Sequence, residues 1–460
     1  MTQQQVRPAE RDETPDELAV EHRGGPTPLW RSRNFLLLLS GQSVAELGSR
    51  ISSVAVPLLA ASVLHASVFQ ISLLTFLAWL PYLFFSLPAG ILADRFDQRR
   101  LMIGCDLGRM VLMGSLPVAA MAWDLHLWYL YTVVGLSGVL TVLFKVAYQA
   151  QLPRLVDPDQ LVDGNAKLVM SQDTAELVGP TLSGLLIGLI GAGKTFFTNA
   201  TAFLISALTL WLIREEPRPK GAEGQEPEKA EEKLPLRVET LEGIAFLRRQ
   251  PILRMILACT TTSNFFVMAS SSIEVTFLLR ELDAASWMVG LVFSISAVGG
   301  LVIGAFTNRI SRRIGTARVI WVATAVPGPF YLLMPLAPSG AWGILLYGLG
   351  LAAFSANAVL YNVAATSYQQ RITPTRMMGR VNAAFLWICY GVIPLGALTG
   401  GLLGSQLGLR PAMWICVLGT WSAALWVVFS PLRRMRDLPP DSAAEESGGE
   451  EADAMDSVPA

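Results

Sequence analysis

Twelve long, mostly apolar stretches constrain this chain more than any other feature. They lie at 34–62, 68–92, 101–123, 127–150, 166–190, 194–213, 252–279, 287–308, 316–337, 341–367, 378–404 and 411–430. A helix needs about 20 such residues to cross the hydrocarbon of a bilayer. Inside lipid the backbone must satisfy its own hydrogen bonds, which leaves helices or closed barrels. Barrel strands alternate in polarity, and these runs do not. Composition agrees: of 460 residues, 52% are hydrophobic and only 15% charged, against about 25% charged in ordinary soluble domains. Mean hydropathy is +0.46. The chain therefore has too little charge to clothe a soluble enzyme. It is expected to be an all-α polytopic membrane protein, with the lipid bilayer as its first partner.

Several classes drop out early. The net charge of -1 gives no basic excess for nucleic acid. Cys105, Cys259, Cys389 and Cys416 sit unpaired inside apolar runs and read as small buried hydrophobes. His22, His65 and His126 share no helix-face spacing, so neither a metal site nor a cofactor is expected. No signal peptide precedes the first run, which should act as an uncleaved span.

Positive residues set the orientation. Of the 35 Lys and Arg, 29 fall on the side of the termini and the even-to-odd loops. Lys194, Arg280 and Arg410 fall opposite; Arg50, Arg109 and Lys145 lie within spans. The bias places both termini in the cytoplasm of a plasma (inner) membrane. The expected organisation is a cytoplasmic tail (1–33), a six-helix bundle (34–213), a cytoplasmic central loop (214–251), a second bundle (252–430) and an acidic tail (431–460). The central loop opens as a Glu/Lys/Pro stretch expected to be disordered. In 236–249, Leu236, Leu241, Ile244, Phe246 and Leu247 among charges predict an amphipathic helix on the inner membrane surface.

Charges inside spans are costly, about 2.5–3.5 kcal/mol at the bilayer centre, and so read as functional. Glu46 and Arg50 lie four apart on one face of span one. At 1.5 Å per residue Glu46 is about 18 Å beyond Asn34, near mid-membrane. Asp106 and Arg109 lie three apart on span three, closer to the cytoplasm. Asp173 and Glu176 lie three apart on span five, and Glu274 lies toward the outer end of span seven. Glu46 is the leading proton-coupling candidate, then Glu176 and Asp173. Burial raises a carboxylate's pKa and a neighbouring arginine lowers it, so alternating surroundings can load and unload a proton. The alternative is a permanent structural pair, a reading that suits Asp106–Arg109 better. Phe76, Trp79, Tyr82, Tyr361, Trp387 and Tyr390 are candidates to line an amphipathic cavity; core packing or lipid contact is the alternative for each.

The two groups of six spans repeat. Gly90-Ile-Leu-Ala-Asp94-Arg95-Phe-Asp-Gln-Arg99-Arg100 follows span two, and Gly304-Ala-Phe-Thr-Asn308-Arg309-Ile-Ser-Arg312-Arg313 follows span eight. Asn165-Ala166 precedes Gly184 by nineteen residues, as Asn382-Ala383 precedes Gly401. Internal repeats of this kind mark secondary transporters, with the substrate site between the halves. With the twelve spans and the long central loop, Gly90–Arg100 resembles motif A of the major facilitator superfamily. Glu176-Leu-Val-Gly179-Pro180-Thr-Leu-Ser183-Gly184 resembles the antiporter motif of its exporters, with Ser183 in place of a glycine. Gln151–Val156, Asn165-Ala166 and Pro374…Gly379-Arg380-Val381 resemble the macrolide-efflux and enterobactin-exporter branch of its drug:proton antiporters.

The resemblance implies two pseudo-symmetric six-helix bundles. It also implies that Asp94 faces the start of span eleven near Gly379, latching the inner gate through the positive end of a helix. Gly90 would allow close helix approach, while Arg95, Arg99 and Arg100 complete the motif. Gly179, Pro180 and Gly184 would give span five a kink or a smooth sliding face. One departure is that span four carries only Lys145 where such antiporters often have an arginine, so a relay through that arginine does not carry over.

Gly188-Leu-Ile-Gly-Ala-Gly193-Lys194-Thr195 satisfies a P-loop pattern, but an apolar span precedes it where a strand is required. The expected function is therefore not enzymatic. It is secondary efflux of a small amphipathic molecule (a drug, a macrolide-like antibiotic or a siderophore-like metabolite), driven by protons, by a monomer. The rivals are an importer of a small solute and a transport-inactive receptor.

Overall fold

The computed structural model describes residues 29–95, 97–122, 125–156, 160–213, 236–374 and 377–435. The two tails and the start of the central loop lie outside them. Among the described residues the regular structure is helical, without strands.

The first half contains α1 (Arg33–Ser62), α2 (Val68–Arg95), α3 (Gln98–Ala122), α4 (Leu127–Leu155), α5 (Leu161–Ile190) and α6 (Ala192–Leu212). The central segment supplies α7 (Leu236–Arg249). The second half has α8 (Pro251–Arg280) and α9 (Ser286–Ile314). Its next span is broken into α10 (Thr316–Ala325), α11 (Gly328–Tyr331) and α12 (Leu333–Leu336). Then come α13 (Ala341–Ile372), α14 (Met378–Leu407), and a last span in two pieces, α15 (Leu409–Ser422) and α16 (Ala424–Val428). Eleven described stretches are long and apolar enough to cross a membrane, and the apolar part of α2, Val68–Phe84, completes the set.

Several helices outrun their apolar stretches at the end that carries the chain termini. Thus α4 continues to Leu155 and α9 to Ile314, because a helix that has satisfied its backbone in oil need not unwind on entering water. Two caps fix entries there: Ser32 Oγ accepts from Phe35 N at the start of α1, and Asp97 Oδ1 accepts from Arg100 N, 2.8 Å, at the start of α3.

Prolines explain the broken span. Pro329 has no N–H to give the carbonyl of Ala325, four residues back. The indole of Trp421, from the last span, donates to that carbonyl instead, at 3.2 Å. Gly328 is what lets Trp421 in, since a Cβ there would collide with the indole. Arg410 then closes the far end of the span, donating to the carbonyls of Pro335 and Ala337 at 2.9 Å each.

The repeat predicted from sequence reappears as a backbone detail. At one turn Val63 N bonds Leu59 O and Ala66 N bonds Ala60 O, with His65 at φ 48°; at the other Glu281 N bonds Phe277 O and Ala284 N bonds Leu278 O, with Asp283 at φ 51°. Both turns lie at the distal end, opposite the termini.

The halves meet there. Helix α2 packs on α14, and α5 on α9. Gly184 and Gly290 touch backbone to backbone, Gly401 receives Ser72, and Gly404 receives Val68. Hydrogen bonds run from Ser294 Oγ to Thr181 Oγ1 (2.9 Å), from Ser72 Oγ to the carbonyl of Ser272 (3.3 Å) and from Arg280 to the carbonyl of Ala66 (2.7 Å). One hydrophobic core, from Val54 and Leu58 to Phe277 and Leu409, runs through both halves at this end. Toward the termini each half keeps its own core, around Phe35, Met102 and Phe144 in the first and around Leu253, Ile320 and Tyr368 in the second. The molecule is thus sealed at its distal end.

That seal depends on glycine. Gly184→Val drives a side chain into the backbone of Gly290, and overpacking of this kind costs about 1–3 kcal/mol. The thermal midpoint in detergent should fall for Gly184→Val and hold for Gly135→Ala, whose added methyl meets nothing within 4 Å. Equal midpoints would show that the α5–α9 contact carries no stability.

Candidate functional site

Arg50 is the junction of the site. It projects from α1, one turn after Glu46, and its Nε lies 3.1 Å from Glu46 Oε1. Its Nη2 lies 3.2 Å from Glu176 Oε2 on α5. One guanidinium therefore holds carboxylates from two helices. The approach is possible because Gly179 packs on the Arg50 side chain, where any Cβ would collide. Ser183 adds a tie between the same helices by donating to the carbonyl of Ile51 at 2.9 Å. Thus the serine that departs from the glycine of the exporter motif has a bond of its own. Pro180 runs within α5 without ending it, yet it removes the N–H that would bond the carbonyl of Glu176.

Two cavities meet at Arg50. One, of about 300 Å³, lies within the first half and is bordered by Glu46, Trp79, Tyr82, Arg109 and Lys145. The other, of about 380 Å³, lies between the halves and is bordered by Arg50, Glu176 and Pro180 on one side and Glu274, Tyr331 and Phe354 on the other. Glu274 is buried in that second wall, and Tyr347 donates to it at 3.3 Å. Among the described residues no cation pairs with Glu274.

Exposure separates two kinds of ion pair. Asp106 and Arg109 bond directly, with side chains 0% and 4% exposed. The guanidinium is sandwiched between Phe144 (4.6 Å) and Phe203 (4.3 Å). Removing one partner of such a pair strands a buried charge. In the Arg50 cluster Glu46 is 19%, Arg50 35% and Glu176 61% exposed. Solvent-screened pairs contribute about 0–1 kcal/mol and can part at little cost.

The other expected residues divide. Trp79 and Tyr82 are in ring contact (centroids 5.2 Å apart), and Trp79 also meets Tyr390 of α14 at 6.3 Å. Tyr361 instead is buried in the second-half core, bonded to Thr260 (2.9 Å) and to the carbonyl of Ile256 (3.2 Å). It borders only a small recess of about 90 Å³. Phe76 is half-buried on α2, and Trp387 is exposed on α14. The side chains of Asp173, Asp94 and Arg95 and the surroundings of Gly90 lie outside the described residues, and with them the expected Asp94 latch. Gly379 itself has open space around it. Arg99 stays within its own half, donating to the carbonyls of Leu210 (2.8 Å) and Trp211 (2.5 Å) at the end of α6, where a helix C-terminus attracts a cation. Arg100 is exposed.

The P-loop pattern is a helix–turn–helix: Gly191, φ 85°, joins α5 to α6, and Lys194 is exposed in the first turn of α6. The amphipathic segment forms α7 as expected. It packs on the second half, with Gly243 against the backbone of Arg380 and Glu242 Oε2 2.6 Å from Arg380 Nη1.

Sequence reasoning missed Tyr347 and the reach of Arg50 to Glu176. A signal existed for the first: a tyrosine within an apolar span must find a partner for its hydroxyl.

Two six-helix halves sealed at one end, with polar cavities between and within them, define a polytopic membrane transporter. The chain belongs to the Major Facilitator Superfamily, whose family description it matches over residues 38–397; these are transporters, not enzymes. It is 28% identical to the uncharacterized MFS-type transporter YfiS of Bacillus subtilis (strain 168), over 85% of this chain and 91% of that one. It is 22% identical to macrolide efflux protein A of Streptococcus pyogenes, over 89% of this chain and 98% of that one. In fold it is similar to a bacterial homologue of the human lysosomal transporter Spinster in an inward-facing, occupied conformation. That similarity has a TM-score of 0.67 at 14% identity and covers 89% of this chain and 98% of that one.

Asp106→Ala should leave the Arg109 guanidinium buried without its anion and cost about 3–5 kcal/mol, read as a lower thermal midpoint in detergent. Adding Arg109→Leu should restore most of it. A single variant as stable as the parent would contradict a structural role for the pair.

Proposed function

We propose that the chain is a secondary active exporter in which protons entering the cell drive an amphipathic small molecule out, by alternating access between two six-helix domains at 34–213 and 252–430. The observation that carries the reading is the half-exposed Arg50 bridge between Glu46 and Glu176, placed where the two cavities meet. When the cluster opens to water, a carboxylate released from Arg50 gains affinity for a proton; when Arg50 returns, the proton leaves. Glu274, paired only with a hydroxyl, offers a second protonation site across the cavity, and Asp173 lies one turn before Glu176 on α5.

The excess of Lys and Arg at the terminal end supports cytoplasmic termini in a plasma (inner) membrane. With that orientation the distal seal faces outward, and the conformation described is inward-facing. Export, and a drug or macrolide-like substrate, draw support from the efflux relative; multidrug resistance would be the consequence in a cell. A monomer contains the whole site.

One proton crossing 100 mV contributes about 2.3 kcal/mol, enough for roughly a 50-fold solute gradient. In everted vesicles given a proton gradient, an acidic aromatic antibiotic such as novobiocin should accumulate inside. Glu46→Gln and Glu176→Gln should each collapse that accumulation while leaving downhill exchange in place. Coupling unchanged in both variants would remove the cluster from the mechanism, and accumulation in the opposite direction would make the protein an importer.

A further inference from the structure

The cavity of the first half holds a cation that the proton cluster does not use. Lys145 of α4 borders this cavity, and its ammonium stands 5.4 Å from the centre of the Tyr82 ring. The other two cations of the cavity are matched, Arg50 by Glu46 and Glu176 and Arg109 by Asp106. Among the described residues Lys145 has no carboxylate partner. Lys145 is exposed on α4 near the terminal end of its span, so a ligand entering the cavity can reach its ammonium. Here one side rests on the electron-rich face of Tyr82, which leaves its remaining N–H donors free.

Beside it the aromatic wall continues. Trp79 lies next to Tyr82, and Tyr390 of the other half lies beyond Trp79. Flat rings favour stacking of a flat apolar body. A volume of about 300 Å³ accommodates a small molecule. The cavity thus combines the positive charge of Lys145 with an aromatic wall of Tyr82 and Trp79.

We infer that Lys145, Tyr82 and Trp79 form a binding site for an aromatic carboxylate: the carboxylate meets the ammonium of Lys145 and the ring stacks along Trp79. This deepens the export reading by naming the chemical class of the cargo, and it rests on that reading only for the direction of movement. A ligand bearing only a positive charge is repelled by Lys145.

The test uses the full chain in phosphatidylcholine nanodiscs and three probes of one shape: 2-naphthoate, 2-naphthylmethanol and 2-naphthylmethylammonium. Calorimetric titration of the parent protein should rank the acid first and the ammonium last. A bond to a charged group is worth about 1.5–3 kcal/mol, so the acid should bind roughly tenfold or more tighter than the alcohol. Lys145→Gln should bring the acid level with the alcohol, and Lys145→Arg should keep the preference. Trp79→Ala should weaken acid and alcohol alike. The inference is overturned if the parent protein prefers the ammonium, shows no preference or binds none of the probes, or if Lys145→Gln binds the acid as the parent does. The ranking in the parent protein stands even where a variant fails to fold. Naphthoate movement in everted vesicles is read separately: preferential binding without proton-driven movement would leave the site intact and overturn the antiport reading.

Discussion

A charge carried into a bilayer has to be compensated inside the protein, and the way each is compensated sorts the charges of this chain by purpose. Asp106 and Arg109 neutralise each other almost fully buried, with two aromatic rings against the guanidinium. Such a pair cannot open without stranding a charge, so it braces the first half. The Arg50 cluster is compensated too, but in contact with the cavities, where separating the partners costs little. Glu274 has a hydroxyl for company and Lys145 an aromatic face. In the mechanism we propose, the same chemical groups serve as brace, switch and binding contact according to how far water reaches them.

The architecture gives that switch its leverage. At the distal end the halves share a single hydrophobic core and touch through glycines, while toward the termini each half has a core of its own. Rocking the halves parts the shared distal core, while the cores nearer the termini can move as units. Arg50 lies where the cavities on either side of α1 meet, and its partner Glu176 lies on α5, the helix that packs against α9 of the other half. A change of charge on the carboxylates that flank Arg50 is thus felt on a helix at the seam.

Much of this was legible in the sequence. Apolar length gave the spans, since oil admits few alternatives to a helix, and the pattern of residues 236–249 gave a helix there. Glu46 and Arg50 were legible as a pair because helical spacing is local. What escaped depended on contacts between distant segments. That Arg50 also reaches Glu176, that Ser183 bonds the Ile51 carbonyl and that Trp421 repairs the bond lost at Pro329 all require knowing which helices are neighbours. Tyr361 shows the converse error: an aromatic in a span looks like cavity lining until its hydroxyl is found bonded within the core. The apolar run 316–337 read as one continuous span, and its prolines at 327, 329 and 335 instead leave it in three short helices.

The central claim is that protonation at the Arg50 cluster tips the halves from the state sealed at the distal end to one sealed at the terminal end. Pulsed electron-spin distance measurements on two labelled pairs test it directly: Ser67 with Asp283 at the distal end, and Asp97 with Arg313 at the terminal end. On acidification the distal pair should separate as the terminal pair closes, and Glu46→Gln combined with Glu176→Gln should abolish the response. Distances at both ends that ignore pH, or that grow together, would contradict the account.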